Sequence, residues 1–146
     1  VTDAKGPEMD EAELVTILAE AVLLPLYMLQ NYISWQVINT TIVKGTIHDK
    51  GKKVSGTFYF NAFGEFIAFE TFDRYYSLSG KYLRMRWTAH ADSYVERNGI
   101  RFPASFRAVW HLPDGNYEYF KGTIEDIESD AEKFENKVEE NLSGQY

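Results

Sequence analysis

The apolar residues follow a helical period near the start of the chain. They recur at three- and four-residue spacings over residues 14–22, which is typical of a helix with one buried face. Asp10 and Glu13 have the spacing of a capping pair, so we expect the helix to begin near Asp10. From residue 21 to residue 29 the segment is apolar on all sides, and Pro25 is expected to kink or stop the helix.

After residue 31 the apolar period changes to two, which is typical of β-strands. Turn residues divide this part of the chain, the clearest being Asn98-Gly99 and Pro113-Asp114-Gly115. We predict seven strands, at residues 32–38, 41–48, 53–60, 65–72, 81–96, 100–112 and 117–127, with a longer connection at residues 73–80. Because hairpins join most of the strands, the sheet is expected to be antiparallel.

These elements predict one domain of the mainly β (α+β) class. The expected architecture is a curved antiparallel sheet of about seven strands packed on an N-terminal helix. Residues 1–9 are expected to form an N-terminal arm, residues 10–128 a single helix-plus-sheet domain, and residues 129–146 an acidic C-terminal tail or short helix. A chain of 146 residues is long enough to bury a sizeable core without metals or disulfides.

The net charge of −7 is concentrated at the C-terminal end of the chain. Residues 125–146 contain eight acids and two lysines, a net charge of −6, whereas the remaining 124 residues carry a net charge of −1. A surface that binds nucleic acid needs a basic field. We therefore expect no nucleic-acid partner.

The sequence leaves the cellular compartment open. It contains no cysteine, which excludes disulfides and thiolate chemistry. No stretch reaches the roughly 18 to 20 uncharged apolar residues that cross a bilayer, so we expect no membrane span. The chain begins at Val1 without a signal stretch, as expected of a processed product or of a domain from a longer chain.

Residues that could carry catalysis are scattered along the chain. His48, His90 and His111 lie on three different predicted strands or strand ends, with no carboxylate at a spacing typical of metal ligands. The common hydrolase and nucleotide-binding motifs do not occur. A paired-carboxylate glycosidase stays formally open, although solvated strand faces are the favoured interpretation of its candidates, Glu65, Glu70, Asp73 and Glu118. We expect no enzymatic activity, no cofactor and no metal site.

A polar clamp is predicted between the helix and the longest connection. Glu20 borders the apolar part of the helix, and Asp73-Arg74 opens the connection. An ion pair between Arg74 and Glu20 would fasten that connection over the helix. A structural clamp is the favoured interpretation, and a pair that contacts a ligand is the alternative.

Large aromatic residues form a stripe on one face of the predicted strands. Its members are Phe58, Phe60, Phe102, Phe106 and Trp110. The stripe either lines a ligand cavity or fills the core. The small residues Ala104 and Ala108 leave room for a bulky neighbour, which is either a ligand or the apolar segment that contains Leu24, Leu26, Met28 and Leu29.

Several short strings carry a family resemblance through their order along the chain. They are Gly6-Pro7-Glu8-Met9, Glu13-Leu14 with Leu18-Ala19-Glu20 and Pro25, Trp35 with Ile38, Phe58-Tyr59-Phe60-Asn61 with Gly64-Glu65, Asp73-Arg74-Tyr75-Tyr76, Asn98-Gly99-Ile100 with Pro103, Val109-Trp110 with Leu112-Pro113-Asp114-Gly115, and Tyr119-Phe120-Lys121-Gly122. Over about residues 6–128 the chain resembles an uncharacterised bacterial family, a domain of unknown function.

That resemblance implies a curved antiparallel sheet distantly similar to lipoprotein-carrier (LolA-like) folds, with a helix against the concave side. It carries over no catalytic residue. Members of the family are usually longer at the N-terminus, so strands that complete the sheet are expected to be absent or to come from a second copy. Likeness to a lipid carrier in fold is an analogy and not evidence of lipid transport.

Two functions fit this pattern. The first is a non-enzymatic binding domain whose concave apolar surface holds a hydrophobic or lipid-like small molecule. The second is a structural or protein-interaction module in which the helix fills the concavity and copies assemble through sheet edges into a homo-oligomer. A cavity of several hundred cubic ångströms beside Trp110 would favour the binding domain, and its absence would favour the module.

Overall fold

A computed structural model describes residues 6–23 and 25–125 of the chain. In that range the chain forms two helices and one antiparallel sheet whose seven strands are hydrogen-bonded in sequence order. The elements are α1 (Pro7–Glu20), α2 (Pro25–Met28), β1 (Ile33–Asn39), β2 (Ile42–Asp49), β3 (Lys52–Phe60), β4 (Phe66–Leu78), β5 (Lys81–Arg97), β6 (Ile100–Leu112) and β7 (Gly115–Thr123). The predicted fold class is confirmed. The C-terminal tail or helix predicted at residues 129–146 lies outside the described residues.

Helix α1 begins three residues earlier than predicted. Pro7 is at its start, where proline is well tolerated because the first helical amides have no partner within the helix. No side chain caps this helix, so the predicted capping pair of Asp10 and Glu13 is wrong. Asp10 instead forms an ion pair with Lys52 of β3, which ties the start of α1 to the sheet. The end of the predicted arm is therefore helical. Neither described helix is long and apolar enough to cross a membrane.

Strand β4 is longer than the sequence pattern predicts. It continues to Leu78, so residues 73–78 are strand and not connection, and the chain turns at Ser79-Gly80, where both residues have positive φ. A bulge between Thr71 and Arg74 shifts the register of β4 against β5. Because the bulge interrupts the alternation of apolar and polar residues, the period of two is lost at this point in the sequence.

One face of the sheet, which we call the helix face, carries the core. Helix α1 lies across β2, β3 and β4 on this side. The fully buried core residues are Val15, Leu18, Ile47, Val54, Phe58 and Phe69, each contributing about 1.5–3 kcal/mol through burial. Gly45 and Gly56 oppose each other on β2 and β3, and their missing side chains leave space for Leu18 and for the Phe69 ring.

The opposite side of the sheet, the polar face, carries mainly polar and charged residues. Its central row runs across β3, β4, β5, β6 and β7 through residues paired in register, namely Thr57, Glu70, Thr88, Val109 and Glu118. The sheet therefore separates two chemically different surfaces.

Candidate functional site

A cleft of about 1160 Å³ lies at one end of the sheet on the side where α1 ends. We call it the end cleft. Residues 22–23, which follow α1, converge there with the short helix α2, the β3–β4 turn and the start of β6. Its apolar lining consists of Val22, Leu23, Met28, Phe60, Phe63, Phe66, Ile100, Phe102, Pro103 and Ile124. The volume is somewhat larger than the roughly 300–1,000 Å³ typical of small-molecule sites, and the lining is mainly apolar.

The polar edge of the end cleft is formed by Glu65 and Arg101. Glu65 accepts hydrogen bonds from Nδ2 of Asn61 at 2.8 Å and from Nη2 of Arg101 at 2.6 Å. The bonds from Asn61 and then from Arg101 hold the pKa of Glu65 below its ordinary value. Nearby, the Tyr94 hydroxyl donates to the backbone carbonyl of Phe66 at 2.7 Å. The cleft thus combines a broad apolar wall with a fixed ion pair at its rim.

The structure divides the predicted ligand residues among several places. Met28, Phe60 and Phe102 line the end cleft. Phe58 does not, because it is fully buried against Trp35, Phe66 and Phe69. Phe106 packs against the core, and Leu29 is 82% exposed without lining the cleft. Leu24 and the side chain of Leu26 lie outside the described residues.

The cavity expected beside Trp110 is not there among the described residues. Trp110 is buried and contacts Tyr76 at 5.2 Å and Tyr119 at 6.3 Å between ring centroids, and the guanidinium carbon of Arg74 lies 5.9 Å from its ring. Side chains of the protein therefore fill this position. The larger open space is at the other end of β6, beside Phe102.

The predicted polar clamp has different partners from those expected. Arg74 donates a hydrogen bond from Nη1 to Oγ1 of Thr16 at 3.1 Å, and Thr16 lies one helical turn before Glu20. Glu20 is exposed and forms no ion pair with Arg74 in the described part of the chain. The guanidinium meets α1 at this earlier turn because it is stacked on Trp87, with its carbon 4.5 Å from the ring centroid.

Asp73 takes the clamping role without Arg74. Its Oδ2 accepts from the backbone amide of Ser55 at 2.8 Å, and its Oδ1 accepts from Nη1 of Arg84 at 3.2 Å. The other terminal nitrogen of Arg84 donates to Glu11 of α1 at 2.9 Å. The chain of Glu11, Arg84 and Asp73 therefore joins helix and sheet, whereas the predicted pair of Arg74 and Glu20 does not form among the described residues.

Two histidines on the polar face share one hydroxyl. Nδ1 of His111 lies 2.8 Å from the amide oxygen of Asn116, and since that oxygen only accepts, Nδ1 carries the hydrogen. Oγ1 of Thr88 lies 2.9 Å from Nε2 of His111 and 2.9 Å from Nε2 of His90, so one hydroxyl bridges the two rings. Burial, and then the charge of Arg107, lowers the pKa of His90.

The four carboxylates considered for a glycosidase are each paired with an arginine. Glu65 pairs with Arg101 at 2.6 Å, Glu70 with Arg86 at 2.5 Å, Asp73 with Arg84 at 3.2 Å and Glu118 with Arg107 at 3.8 Å. A general acid must carry a proton near neutral pH, and an adjacent guanidinium favours the opposite, charged form. Among the described residues no three His, Asp or Glu side chains are grouped as metal ligands would be.

Several residues of the end cleft were not predicted from the sequence. Leu23 and Phe63 are exposed apolar residues in turns, where the alternation of strand residues gives no information, and Ile100 is the exposed first residue of β6. One feature of the sequence could have indicated the cleft: Phe63 is a large apolar residue in a turn whose other residues are small or polar. Its ring is 89% exposed.

Comparison with known proteins gives a family and no closer relative. No curated protein matches the chain, and no solved structure matches it. The similarity to lipoprotein-carrier folds therefore stays a prediction. Residues 1–122 match the model described as "Family of unknown function (DUF6544)". Because that match covers well over half of the 146 residues, the chain belongs to this family of unknown function.

Proposed function

We propose that this protein is a non-enzymatic binding domain that holds a hydrophobic or lipid-like molecule in the end cleft. The observation that carries the proposal is the cleft itself, a space of about 1160 Å³ whose lining is mainly apolar. Three residues that the sequence indicated for such a ligand, Met28, Phe60 and Phe102, contribute to that lining.

Exposed apolar surface in the cleft supplies the driving force for binding. Leu23, Phe63 and Ile100 are exposed large hydrophobic residues that line it. Covering apolar surface gains roughly 25 cal/mol per Å² on transfer from water, before the cost of association. A flexible acyl or terpenoid chain fits an open cleft of this composition better than a compact polar metabolite does.

The arrangement of ionisable groups supports a binding role over catalysis. The carboxylates Glu65, Glu70, Asp73 and Glu118 are each engaged by an arginine. The Glu65–Arg101 pair is the one that borders the end cleft, and it suits recognition of a polar head group at the rim. We therefore propose no reaction and no cofactor for this site.

Ligand binding is tested with delipidated protein. We expect native mass spectrometry of the protein before delipidation to show a bound apolar molecule, and a fluorescent fatty acid to bind the delipidated protein and be displaced by unlabelled lipid. If no ligand is retained and the fluorescent probe shows no saturable binding, the proposal is wrong.

Variants at the cleft locate the binding. Ile100→Asp and Phe63→Asp place a charge in the apolar lining, and each is expected to weaken probe binding by about tenfold, or about 1.4 kcal/mol. Leu78→Asp and Phe72→Asp are the matched controls, since both residues are exposed apolar side chains of β4 outside the cleft. Equal weakening by the controls would contradict the assignment to the end cleft.

A structural or interaction module is the second candidate. It is favoured by the sheet edges and by the absence of a cavity beside Trp110 among the described residues, the outcome expected for a module. Within residues 6–23 and 25–125 the sheet is open, so β1 and β7 each present an edge that no described strand covers. Val37 on β1 is 73% exposed and Phe120 on β7 is 53% exposed. Light scattering after size-exclusion chromatography tests this candidate. If the protein is a dimer that Phe120→Lys converts to a monomer, and if it binds no lipid probe, the module is the correct function and the binding proposal is wrong.

A further inference from the structure

Arg74 occupies an unusual position on the helix face. Its guanidinium carbon lies 4.5 Å from the ring centroid of Trp87 and 5.9 Å from that of Trp110. These stacking contacts fix the plane of the guanidinium, and the bond to Thr16 fixes one of its ends. The group is therefore held rigidly between helix α1 and the sheet.

Most hydrogen-bond donors of Arg74 have no acceptor in the protein. A guanidinium carries five N–H groups, and the described residues offer it one hydrogen bond, from Nη1 to Thr16. No carboxylate in the described part of the chain pairs with it, and burial without such a partner lowers its pKa. Among the described residues every fully buried side-chain nitrogen has a partner, so the remaining donors of Arg74 reach accessible space.

Arg74 lines a second, smaller cleft between α1 and β4, which we call the arginine cleft. It has a volume of about 400 Å³ and is lined by Met9, Ala12, Glu13, Thr16, Ile17 and Arg74. Three of these residues are apolar. The cleft thus pairs a fixed cation that has free donors with an apolar wall, on a part of the helix face separate from the end cleft.

We propose that the arginine cleft is a second binding site, in which Arg74 binds the carboxylate of a small amphiphilic molecule. A carboxylate accepts two parallel hydrogen bonds from the side of a guanidinium, here Nε and Nη2, while the alkyl part lies against Met9 and Ile17. Glu13 on the same lining disfavours a second negative charge, which selects the singly charged carboxylate over a phosphate dianion. The proposal does not depend on a ligand in the end cleft.

Tryptophan fluorescence tests the proposal, because two of the three tryptophans, Trp87 and Trp110, flank Arg74 and none lines the end cleft. The probes are octanoate, octan-1-ol as its uncharged match, and inorganic phosphate. We expect octanoate to change the emission saturably and to bind at least about tenfold more tightly than octan-1-ol, while phosphate gives no saturable change. Equal affinity for octanoate and octan-1-ol would overturn the proposal, and tighter binding of phosphate would overturn the choice of a carboxylate.

Variants assign the effect to one arginine. Arg74→Gln is expected to weaken octanoate binding by about tenfold or more, and Arg74→Lys is expected to recover only part of it because lysine keeps the charge without the paired donors. Arg107→Gln, which removes an arginine of the polar face outside both clefts, is the control and is expected to leave octanoate affinity unchanged. Arg101→Gln reports binding of octanoate at the end cleft. The outcome that would rule out this second site is weaker octanoate binding in Arg101→Gln together with unchanged octanoate binding in an Arg74→Gln protein that circular dichroism shows to be folded. The carboxylate would then bind in the end cleft, and the proposed function would stand.

Discussion

Gly56 of β3 lies directly against the ring of Phe69 on β4, so closely that a Cβ atom at position 56 would overlap the ring edge. The alternation along β3 puts Gly56 on the same buried face as Val54 and Phe58, and the Phe69 ring occupies the space where its side chain would be. Phe69 is fully buried and contacts Phe58 edge-on at 4.8 Å between ring centroids. The aromatic core therefore depends on a glycine.

Gly56→Ala is expected to destabilise the protein through this overlap. Forcing an extra methyl group into a well-packed core costs typically about 1–3 kcal/mol. The measurement is urea unfolding followed by circular dichroism. Gly122→Ala is the control, because its Cβ would approach only the far end of the exposed Phe120 ring, and its stability should stay equal to wild type or rise slightly. An equal loss of stability in Gly56→Ala and Gly122→Ala would contradict the claim that the Phe69 ring needs the space at Gly56.

Acidification is expected to destabilise the protein through His90. Its pKa in the folded state is lowered, first by burial and then by Arg107, so the folded state binds fewer protons than the unfolded state in a window below the unfolded pKa of about 6.5. The contribution of His90 to the free energy of unfolding is therefore constant above about pH 6.5. It falls as the pH drops from about 6.5 towards the pKa of His90 in the folded state.

Urea unfolding at pH 7.5 and pH 5.5 measures this effect. In His90→Gln the loss of stability between the two pH values is expected to be smaller than in wild type. His48→Gln replaces an exposed histidine of β2 and should keep the wild-type dependence. An unchanged loss in His90→Gln would show that other groups cause it.

Thr88→Val tests the hydrogen-bond chain on the polar face. Valine keeps the shape of threonine but removes the hydroxyl that joins His90 to His111, and Thr88 is almost fully buried. Leaving buried partners unpaired costs about 1–3 kcal/mol in the free energy of unfolding. Thr57→Val, in the same row of the polar face, is the control and should change stability by less.

The clamp between helix and sheet predicts a graded set of effects. Asp73→Ala removes the acceptor of the Ser55 amide and of Arg84, and is expected to cost about 1–3 kcal/mol. Arg84→Gln breaks half-exposed ion pairs and should cost no more than about 1 kcal/mol, less at high salt. Glu20→Gln should have no effect. A large loss of stability in Glu20→Gln would instead support the ion pair between Arg74 and Glu20 that the sequence predicts.

The sheet was predictable because apolar and polar residues alternate regularly along its strands, and because the strands end at residues that strongly favour turns. Ile100 to Leu112 of β6 and the Asn98-Gly99 turn have the predicted bounds. The second half of β4 was missed because the bulge at Arg74 interrupts the alternation, and the start of α1 was misplaced because Pro7 replaces a side-chain cap.

The candidate sites were harder to predict than the fold. Which partner Arg74 meets depends on the turn of α1 that crosses β4, and no local pattern encodes that crossing. The end cleft is assembled from turn residues such as Phe63 and from the start of β6, which are far apart in sequence. Phe60 and Phe102 were identified because strand periodicity placed them on the inner face, and this reasoning could not separate them from the core residue Phe58.

A titration of ¹⁵N-labelled protein with a long-chain fatty acid, followed by amide chemical shifts, tests the central claim most directly. We expect saturable shifts at the end cleft, at Asn61, Gly64, Ile100 and Phe102, whether or not residues lining the arginine cleft also shift, and unchanged amides in β1 and β2. The absence of saturable shifts, or shifts confined to the exposed edges β1 and β7, would contradict a ligand in the end cleft.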